Sequence, residues 1–348
     1  MRIHGEFTGG NIQILKQEGT DIYLDNQLRD TQGDWFYWAF CVEGGEGMTL
    51  TFHFPQTRVG YYGPAISHDL KEWHWLGEAD GESFTYTFSP SEGRVYFAHN
   101  MLYHPDRFTA FAAEKGLTID TLCESQKGRM VPCLHLGDGD ISIILTSRHH
   151  ACESTGDYVL EGVLSQLLAT PIPNTRIFCV PFVDYDGVVD GDQGKGRYPY
   201  DHNRDYNKEV PPIYPTTAAI MAYAEEYGCH FGFDFHSPWH KGEQNDQVFI
   251  VQNSFEKLDW LNAFGCLFEE ESVDGVRYYH ANDYPFQKEW NQAGPIFAHY
   301  MSARKENHIA FSLETAYFGL ADNQISQEGL VALGRNFAKA LKRYIETM

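Results

Sequence analysis

The stretch DISIILTSRHHACESTGDYVLEGVLSQLLA, residues 140–169, decides the fold. Its first part is a short β-branched run, which is typical of a buried strand, and from Thr155 onward apolar residues recur at helical spacing. Two histidines, a cysteine and a glutamate lie between these two parts. The stretch therefore predicts a strand-to-helix unit of an α/β sheet, with polar side chains at the point where the strand ends.

The same alternation continues to the end of the chain. Further strands are predicted at TRIFCVPFV, HFGFDFH and NHIAFSLETAYFG. Helices are predicted at PTTAAIMAYAEEYG, which has Pro near its start and Gly after its end, and in an amphipathic stretch from about Ser326. We expect residues 106–348 to form an α/β domain with a mixed, mostly parallel sheet and helices on both faces.

The first 105 residues have a β-like pattern instead. MTLTFHF alternates apolar and polar residues, as a strand with one buried face does, and DWFYWAFCV, FTYTFS and RVYFAHNM are aromatic-rich strand candidates between Gly, Asp and Pro clusters. This pattern predicts an N-terminal antiparallel β-sandwich domain over residues 1–105. The following stretch, YHPDRFTAFAAEKG, is interpreted as an irregular connection.

Composition excludes several classes of function. The chain has 348 residues, which favours two domains, and its formal net charge of −22 would repel nucleic acid. There is no apolar run long enough for a membrane span and no apolar leader-like N-terminus. Seven cysteines without C-x-x-C spacing suit reduced thiols, so we expect a cytoplasmic protein; the oligomeric state is left open.

Metal-competent side chains follow the predicted strands of the α/β domain. His150 and Glu153 follow the first strand, Asp184 follows the second, His236 ends the third, and Glu314 lies near the end of the fourth. Ligands of open α/β sheets bind beyond the carboxyl ends of the strands, so these groups are expected at one edge. Two imidazoles and one carboxylate can hold a catalytic zinc ion with an open fourth position.

Five ordered motifs resemble those of the M14 zinc carboxypeptidases, and most closely their cytosolic carboxypeptidase branch. RHHACES resembles R-x-H-P-G-E, VPFVDYDGVVDGD resembles P-x-x-N-P-D-G-V-x-x-G-N, YDHNRDYN is similar to D-L-N-R-x-[WY], FDFHSPWH to D-x-H-[GS], and FSLETAY to T-x-E-T. The match in order and spacing covers about residues 100 to 320. The N-terminal third also resembles the β-sandwich that precedes the catalytic domain in that branch.

The resemblance implies one Zn²⁺ per chain, bound by His150, Glu153 and His236. His149 is the alternative for the first ligand, although the His-x-x-Glu spacing favours His150. His240 is the alternative for His236, but the intervening proline argues against a helix that would pair the two. Asp234 could orient a ligand imidazole or lie on the far face of its strand, and Cys152 is not expected to bind the metal.

The resemblance also implies catalytic and substrate-binding residues. Glu314 would be the general base, and Asn203 and Arg204 would hold the terminal carboxylate of the substrate. Arg197 would polarise the substrate carbonyl, with Lys195 as its competitor because the spacing GDQGKGR departs from the family pattern.

Substrate specificity is expected to be set between about residues 245 and 310. A lid tyrosine of some relatives has three candidates there, Tyr279, Tyr284 and Tyr300, none with a motif around it. Lys288 and Arg304 are the candidate cations for an acidic substrate side chain.

The sequence thus predicts a zinc metallocarboxypeptidase that hydrolyses the C-terminal bond of peptides or protein tails, with no nucleic-acid or membrane partner. The first alternative is a zinc amidohydrolase of the same fold that acts on N-acyl amino acids or cell-wall peptides. The second alternative is an inactive binding module.

Overall fold

The computed structural model describes residues 1–77 and 79–348, and its N-terminal part consists of short strands packed as two sheets. These strands are β1 (Arg2–His4), β2 (Gln13–Glu18), β3 (Asp21–Asp25), β4 (Ala39–Glu43), β5 (Thr49–His53), β6 (Ala65–Ser67), β7 (His74–Trp75), β8 (Ser83–Thr87) and β9 (Arg94–Ala98). One sheet has the order β1-β4-β9-β6-β7 and the other β2-β3-β5-β8. The pairing is antiparallel, as predicted, apart from β3 and β5, which run parallel.

Aromatic side chains fill the space between these two sheets. Phe40 contacts Phe52 across the sandwich with ring centroids 5.1 Å apart, and Phe84 contacts Phe97 at 5.6 Å. Strand β4 is buried on both faces: Phe40 belongs to the sandwich core, whereas its neighbour Cys41 belongs to a core shared with the C-terminal part of the chain. The outer face of this sheet therefore anchors the sandwich to the rest of the molecule.

Helices and longer strands alternate after the sandwich. They are α1 (Pro105–Glu114), β10 (Asp120–Glu124), β11 (Met130–Leu136), β12 (Ile141–Ser147), α2 (Thr155–Ala169), β13 (Thr175–Val180), α3 (Tyr185–Asp190), α4 (Pro215–Tyr227), β14 (Phe231–His236), β15 (Val248–Val251), α5 (Leu258–Glu271), α6 (Phe297–Ser302), β16 (Ile309–Thr315) and α7 (Gln327–Glu346). None of the described helices combines the length and the apolar run needed to cross a bilayer.

The interpretation of residues 103–116 as an irregular connection is wrong in one respect, because this stretch contains helix α1. The His104 side chain caps this helix by accepting a hydrogen bond from the backbone N–H of Asp106, and Pro105 occupies its first turn. Phe108 and Phe111 are buried on its inner face. The proposed domain division at residue 105 therefore coincides with the start of a helix, and the division itself stays a prediction.

The C-terminal part is the predicted mixed sheet, in the order β10-β11-β13-β12-β14-β16-β15. Its centre is parallel, since β12 pairs with β13 and β14, and β14 pairs with β16 in the same direction. Strands β10, β11 and β15 are antiparallel to their neighbours. The carboxyl ends of β12, β13, β14 and β16 consequently meet at one edge of the sheet.

Helices cover both faces of this sheet, which confirms the predicted architecture. Ile143 and Leu145 of β12 belong to the core that α2, α5 and α7 complete, whereas Ile144 belongs to the cluster under α4 and α6. Helices α2 and α7 approach closely at glycines: a Cβ on Gly334 would lie 1.9 Å from the backbone oxygen of Val159. A larger residue there would push these two helices apart.

Candidate active site

The loop between β12 and α2 carries the first two predicted metal ligands. Arg148 begins this loop with a positive φ of 59°, and its buried guanidinium donates to the backbone oxygen of Ala151, to Ser154 and to the carboxylate of Asp157. These bonds fix the loop from the inside. The conformation directs the side chains of the following residues toward the carboxyl edge of the sheet.

His150, Glu153 and His236 converge at that edge. The Nδ1 atom of His150 lies 2.9 Å from Oε1 of Glu153, and Nδ1 of His236 lies 2.7 Å from Oε2. One ligand atom from each residue lies within 4.8 Å of the other two, and all three side chains are buried. The backbone N–H of Ser237 donates to the same Glu153 carboxylate. This donor set and its geometry fit a zinc ion.

The Nε2 atoms of His150 and His236, which lie on the side of each ring away from Glu153, face other carboxylates. Nε2 of His236 contacts Asp234, and Nε2 of His150 lies 3.7 Å from Oδ1 of Asp201. Carboxylates on the far side of a ligand imidazole fix its orientation and favour the Nδ1 lone pair as the metal donor. The two nitrogens that face Glu153 are therefore those available to a metal.

His149 points away from this group. Its Nδ1 lies 2.8 Å from Oδ1 of Asp234 and its Nε2 lies 2.7 Å from the hydroxyl of Tyr206. His149, Asp234 and His236 are also close enough to share an ion, but His149 is fully buried and does not border the cavity described below. His240 contacts His99 of the sandwich domain and lies outside both groups.

Glu314 lies next to His236 in the register of β14 and β16. Its carboxylate borders the cavity, and its Oε2 has no hydrogen-bond partner in the described part of the chain. Burial raises the pKa of Glu314 to about 7. A carboxylate with a free oxygen beside a metal-competent group can accept a proton from water and release it again.

The two candidate cations have different surroundings. The Lys195 ammonium group pairs with Glu153, lies 3.4 Å from the backbone oxygen of Ser237, and borders the cavity. Although burial opposes the charged form, the carboxylate of Glu153 keeps the pKa of Lys195 raised. The ammonium group therefore stays charged inside the site.

Arg197 is not brought to this cavity. Its guanidinium is largely buried and pairs with Asp184 at 2.7 Å, with Asp30 of the sandwich domain at 3.0 Å, and with Asp192 at 3.2 Å. It does not line the cavity that contains the three ligand candidates. Arg197 thus holds together the loop after β13 and the sandwich domain.

Asn203 and Arg204 lie in a 3₁₀ turn that borders the ligands. Asn203 accepts a hydrogen bond from the backbone N–H of Phe297 at 3.2 Å, and its Nδ2 lies 3.4 Å from Nε2 of His236. The Arg204 side chain is exposed to the cavity and makes no ion pair with residues 1–77 or 79–348. This guanidinium is available to a carboxylate in the cavity.

The cavity has a volume of about 650 Å³, and its wall includes the three ligand candidates together with Lys195, Asn203, Arg204 and Glu314. Three tryptophans complete its wall: Trp35 from the sandwich domain, Trp239 after β14, and Trp290 in the long connection before α6. None of the three was predicted as a site residue: Trp35 and Trp290 lie outside the five motifs, and Trp239 lies within FDFHSPWH at a position that the motif does not specify. None of the lid candidates Tyr279, Tyr284 and Tyr300 is among its lining residues in the described chain.

Comparisons with known proteins agree with this architecture. No family model matches the chain. An uncharacterized protein of Zymomonas mobilis is 26% identical over 258 residues, which cover 68% of this chain and 67% of that protein.

The chain is similar over 99% of its length to two solved metallo-carboxypeptidases. The enzyme of Burkholderia cenocepacia superposes with a TM-score of 0.81 at 19% identity, and 99% of its chain is covered. The enzyme of Pseudomonas aeruginosa, solved in complex with (2-guanidinoethylmercapto)succinic acid, superposes with a TM-score of 0.80 at 19% identity, and 99% of its chain is covered as well. The carboxypeptidase A of Helicoverpa armigera matches 70% of this chain and 73% of its own, with a TM-score of 0.53 at 14% identity. These similarities confirm the predicted metallo-carboxypeptidase fold, whereas the cytosolic branch stays a prediction.

Proposed function

We propose that this protein is a zinc-dependent carboxypeptidase that hydrolyses the C-terminal peptide bond of peptides or protein tails. The observation that carries the proposal is the convergence of His150, Glu153 and His236 beside the unpartnered carboxylate oxygen of Glu314 in one cavity. The metallo-carboxypeptidase fold supports it. A cytoplasmic location belongs to the same proposal and rests on the sequence alone.

The chemistry divides between the metal and the chain. His150, Glu153 and His236 would hold a zinc ion, which would supply Lewis acidity and lower the pKa of the attacking water. Glu314 accepts the proton of the attacking water at Oε2 and returns it to the nitrogen of the departing amino acid. The burial that raises the pKa of Glu314 suits this exchange, because a base with a pKa near the working pH can both take and give a proton.

The remaining charged groups orient the substrate. Arg204, with Asn203 beside it, binds the terminal carboxylate, which fixes the last peptide bond relative to Glu314. We assign the polarising cation to Lys195, since its ammonium group borders the cavity and Arg197 is committed to three carboxylates outside it. The charge that develops on the carbonyl oxygen is stabilised by this buried ammonium group.

The test uses the zinc-loaded full chain and three matched substrates: a peptide with a free C-terminus, the same peptide amidated, and the N-acetylated terminal residue. Release of the terminal residue from the free peptide alone supports the proposal. Cleavage of the acetylated amino acid in preference to the peptide would instead support the amidohydrolase. Cleavage of none of the three would contradict hydrolysis and favour the binding module.

A pair of variants tests the base. Glu314→Gln keeps the shape of the side chain but cannot accept a proton, so we expect normal zinc content and a loss of about a thousandfold in kcat. Glu328→Gln changes an exposed glutamate of α7 and serves as the matched control. Activity in Glu314→Gln equal to that of the control would remove Glu314 from the mechanism.

A further inference from the structure

Part of the cavity wall lies beside Glu314 and Asn203 in the fold. Ser312 is two residues before Glu314 on β16, so both side chains lie on the same face of the sheet. Val251 is the cross-strand partner of Ser312 and borders the same space. Ile296 precedes Phe297, whose backbone N–H holds Asn203.

We name the space lined by Val251, Pro295, Ile296 and Ser312 the side-chain pocket. It adjoins Asn203 and Glu314, which are proposed to contact the terminal carboxylate and the last peptide bond. A substrate held by both of these groups directs the side chain of its last residue into this pocket. Trp35 and Trp239 also line the cavity, and their rings contact each other.

Charged side chains that line the cavity are already committed to other roles. They are His150, Glu153, Lys195, Asp201, Arg204, His236 and Glu314. Asp201 faces the Nε2 atom of His150 and accepts a hydrogen bond from the backbone N–H of Gly196. The other six are assigned to binding the metal, binding the terminal carboxylate, stabilising the oxyanion or transferring the proton. None of these charges is left to pair with a charged substrate side chain.

The neutral amides that line the cavity are engaged as well. Asn291 donates to the backbone oxygens of Gln252 and Pro285, at 2.7 and 2.9 Å. Asn245 and Gln292 each donate to a backbone oxygen in their own loop. These amides shape the wall and carry no charge that could pair with a charged substrate side chain.

The two cations that the sequence offered for an acidic side chain lie elsewhere. The Arg304 guanidinium contacts Glu225 and Glu306, both at 2.6 Å, and the Lys288 ammonium group lies over the ring of Tyr284. Neither residue lines the cavity. A glutamate or aspartate at the substrate terminus would therefore meet no positive charge there beyond Arg204 and Lys195, which are assigned to the terminal carboxylate and the carbonyl oxygen.

We propose that the side-chain pocket selects peptides whose last residue is apolar, aliphatic or aromatic, and that Ser312 sets its neutral character. This inference rests on the proposed function and narrows its substrate class. The physical reason is desolvation: a charged side chain loses its water in the pocket and gains no partner, whereas an apolar side chain gains contact with Val251 and Ile296.

The first experiment compares N-blocked peptides that differ only in the last residue: Leu, Phe, Lys and Glu. We expect kcat/KM for Leu and Phe to exceed that for Lys and Glu by at least about tenfold. Equal rates, or a preference for Lys or Glu, would overturn the inference while leaving carboxypeptidase activity established. Absence of hydrolysis of all four would overturn the proposed function and the inference with it.

A matched pair of variants tests the position of Ser312. Ser312→Asp places a carboxylate at the wall of the pocket, and we expect the ratio of kcat/KM for Lys over Leu to rise by about tenfold or more. Ser312→Asn has nearly the same size without the charge and should keep the preference for Leu. An unchanged ratio in a folded, zinc-loaded Ser312→Asp protein would show that Ser312 does not face the substrate side chain. The wild-type series decides the preference even if this variant does not fold.

Discussion

The indole ring of Trp35 lies over the ammonium group of Lys195, with 4.8 Å between the ring centroid and Nζ. Trp35 belongs to the N-terminal sandwich, and its ring also contacts Trp239, which follows β14, at a centroid distance of 5.0 Å. The sandwich thus supplies one wall of the cavity rather than standing apart from it. The Trp35 ring thus covers the buried charge of Lys195, and under the proposed function both rings would offer an apolar surface to a substrate.

Replacing Trp35 should therefore impair catalysis without affecting the metal. We expect Trp35→Ala to lower kcat/KM for peptides by about tenfold, because an aromatic contact and a cation–π contact are worth about 1–2 kcal/mol together. Steady-state kinetics and zinc content by elemental analysis check this. Trp260→Ala, on the outer surface of α5, is the control. If the two variants have the same kcat/KM, the sandwich has no part in the site.

The sequence predicted the parts of the site that depend on local pattern. His150 and Glu153 follow a β-branched strand, and His236 and Glu314 end two others, so the shared edge of a parallel sheet was enough to bring these four together. Trp35 could not be predicted, because its position depends on how the sandwich docks onto the other domain.

The choice between Lys195 and Arg197 was also beyond the sequence. Gly194 and Gly196 flank Lys195 with positive φ values of 76° and 61°, and a Cβ on Gly194 would lie 2.1 Å from the backbone nitrogen of Ala151. These left-handed turns direct Lys195 inward and leave Arg197 among carboxylates. A backbone path of this kind is not encoded in residue spacing.

Substitutions of Lys195 and of Arg197 should consequently have different effects on activity and stability. Lys195→Met removes the buried charge beside Glu153, and we expect kcat to fall by about a hundredfold or more with the fold intact. Arg197→Met leaves three largely buried carboxylates without their partner, so the free energy of unfolding should fall by about 3 kcal/mol while the folded fraction keeps its kcat. Denaturant unfolding and kinetics on each variant separate these results. A stable Arg197→Met protein without activity would return the polarising role to Arg197.

The buried contacts from Tyr206 through His149 to Asp234 should control metal affinity. Asp234→Asn weakens the hold on Nε2 of His236, and we expect zinc affinity to fall by about tenfold to a hundredfold. Tyr206→Phe removes only the hydroxyl that contacts His149, so its effect should be smaller but in the same direction. Competition with a chromophoric chelator measures both. The Tyr300 hydroxyl donates to Glu225 instead, so the control variant Tyr300→Phe should bind zinc as the wild type does. Equal zinc affinities in all variants would contradict a role of these contacts in metal binding.

A pair of buried histidines joins the N-terminal sandwich to the C-terminal part of the chain and should make the stability of the protein depend on pH. His240 donates from Nε2 to the backbone oxygen of Thr57, and its Nδ1 lies 2.7 Å from Nε2 of His99. Burial, with a smaller contribution from the positive charge of Lys241, lowers the pKa of His240 to about 3, and burial lowers the pKa of His99 as well. His240 is therefore neutral in the folded protein at pH 5 to 7, and the pKa of His99 is shifted in the same direction.

The sign follows from the unfolded chain, where a histidine has a pKa of about 6.5. Below this pH the unfolded state binds protons that the folded state cannot, so the free energy of unfolding falls by about 1.4 kcal/mol per pH unit for each such histidine. The loss begins near pH 6.5 and continues down to the folded pKa. Thermal unfolding between pH 7 and pH 5 should show a shallower decline in His240→Gln than in the wild type. The control variant His74→Gln, at an exposed position of β7, should keep the wild-type slope of stability against pH. Identical slopes in all three proteins would mean that His240 is protonated in the folded state.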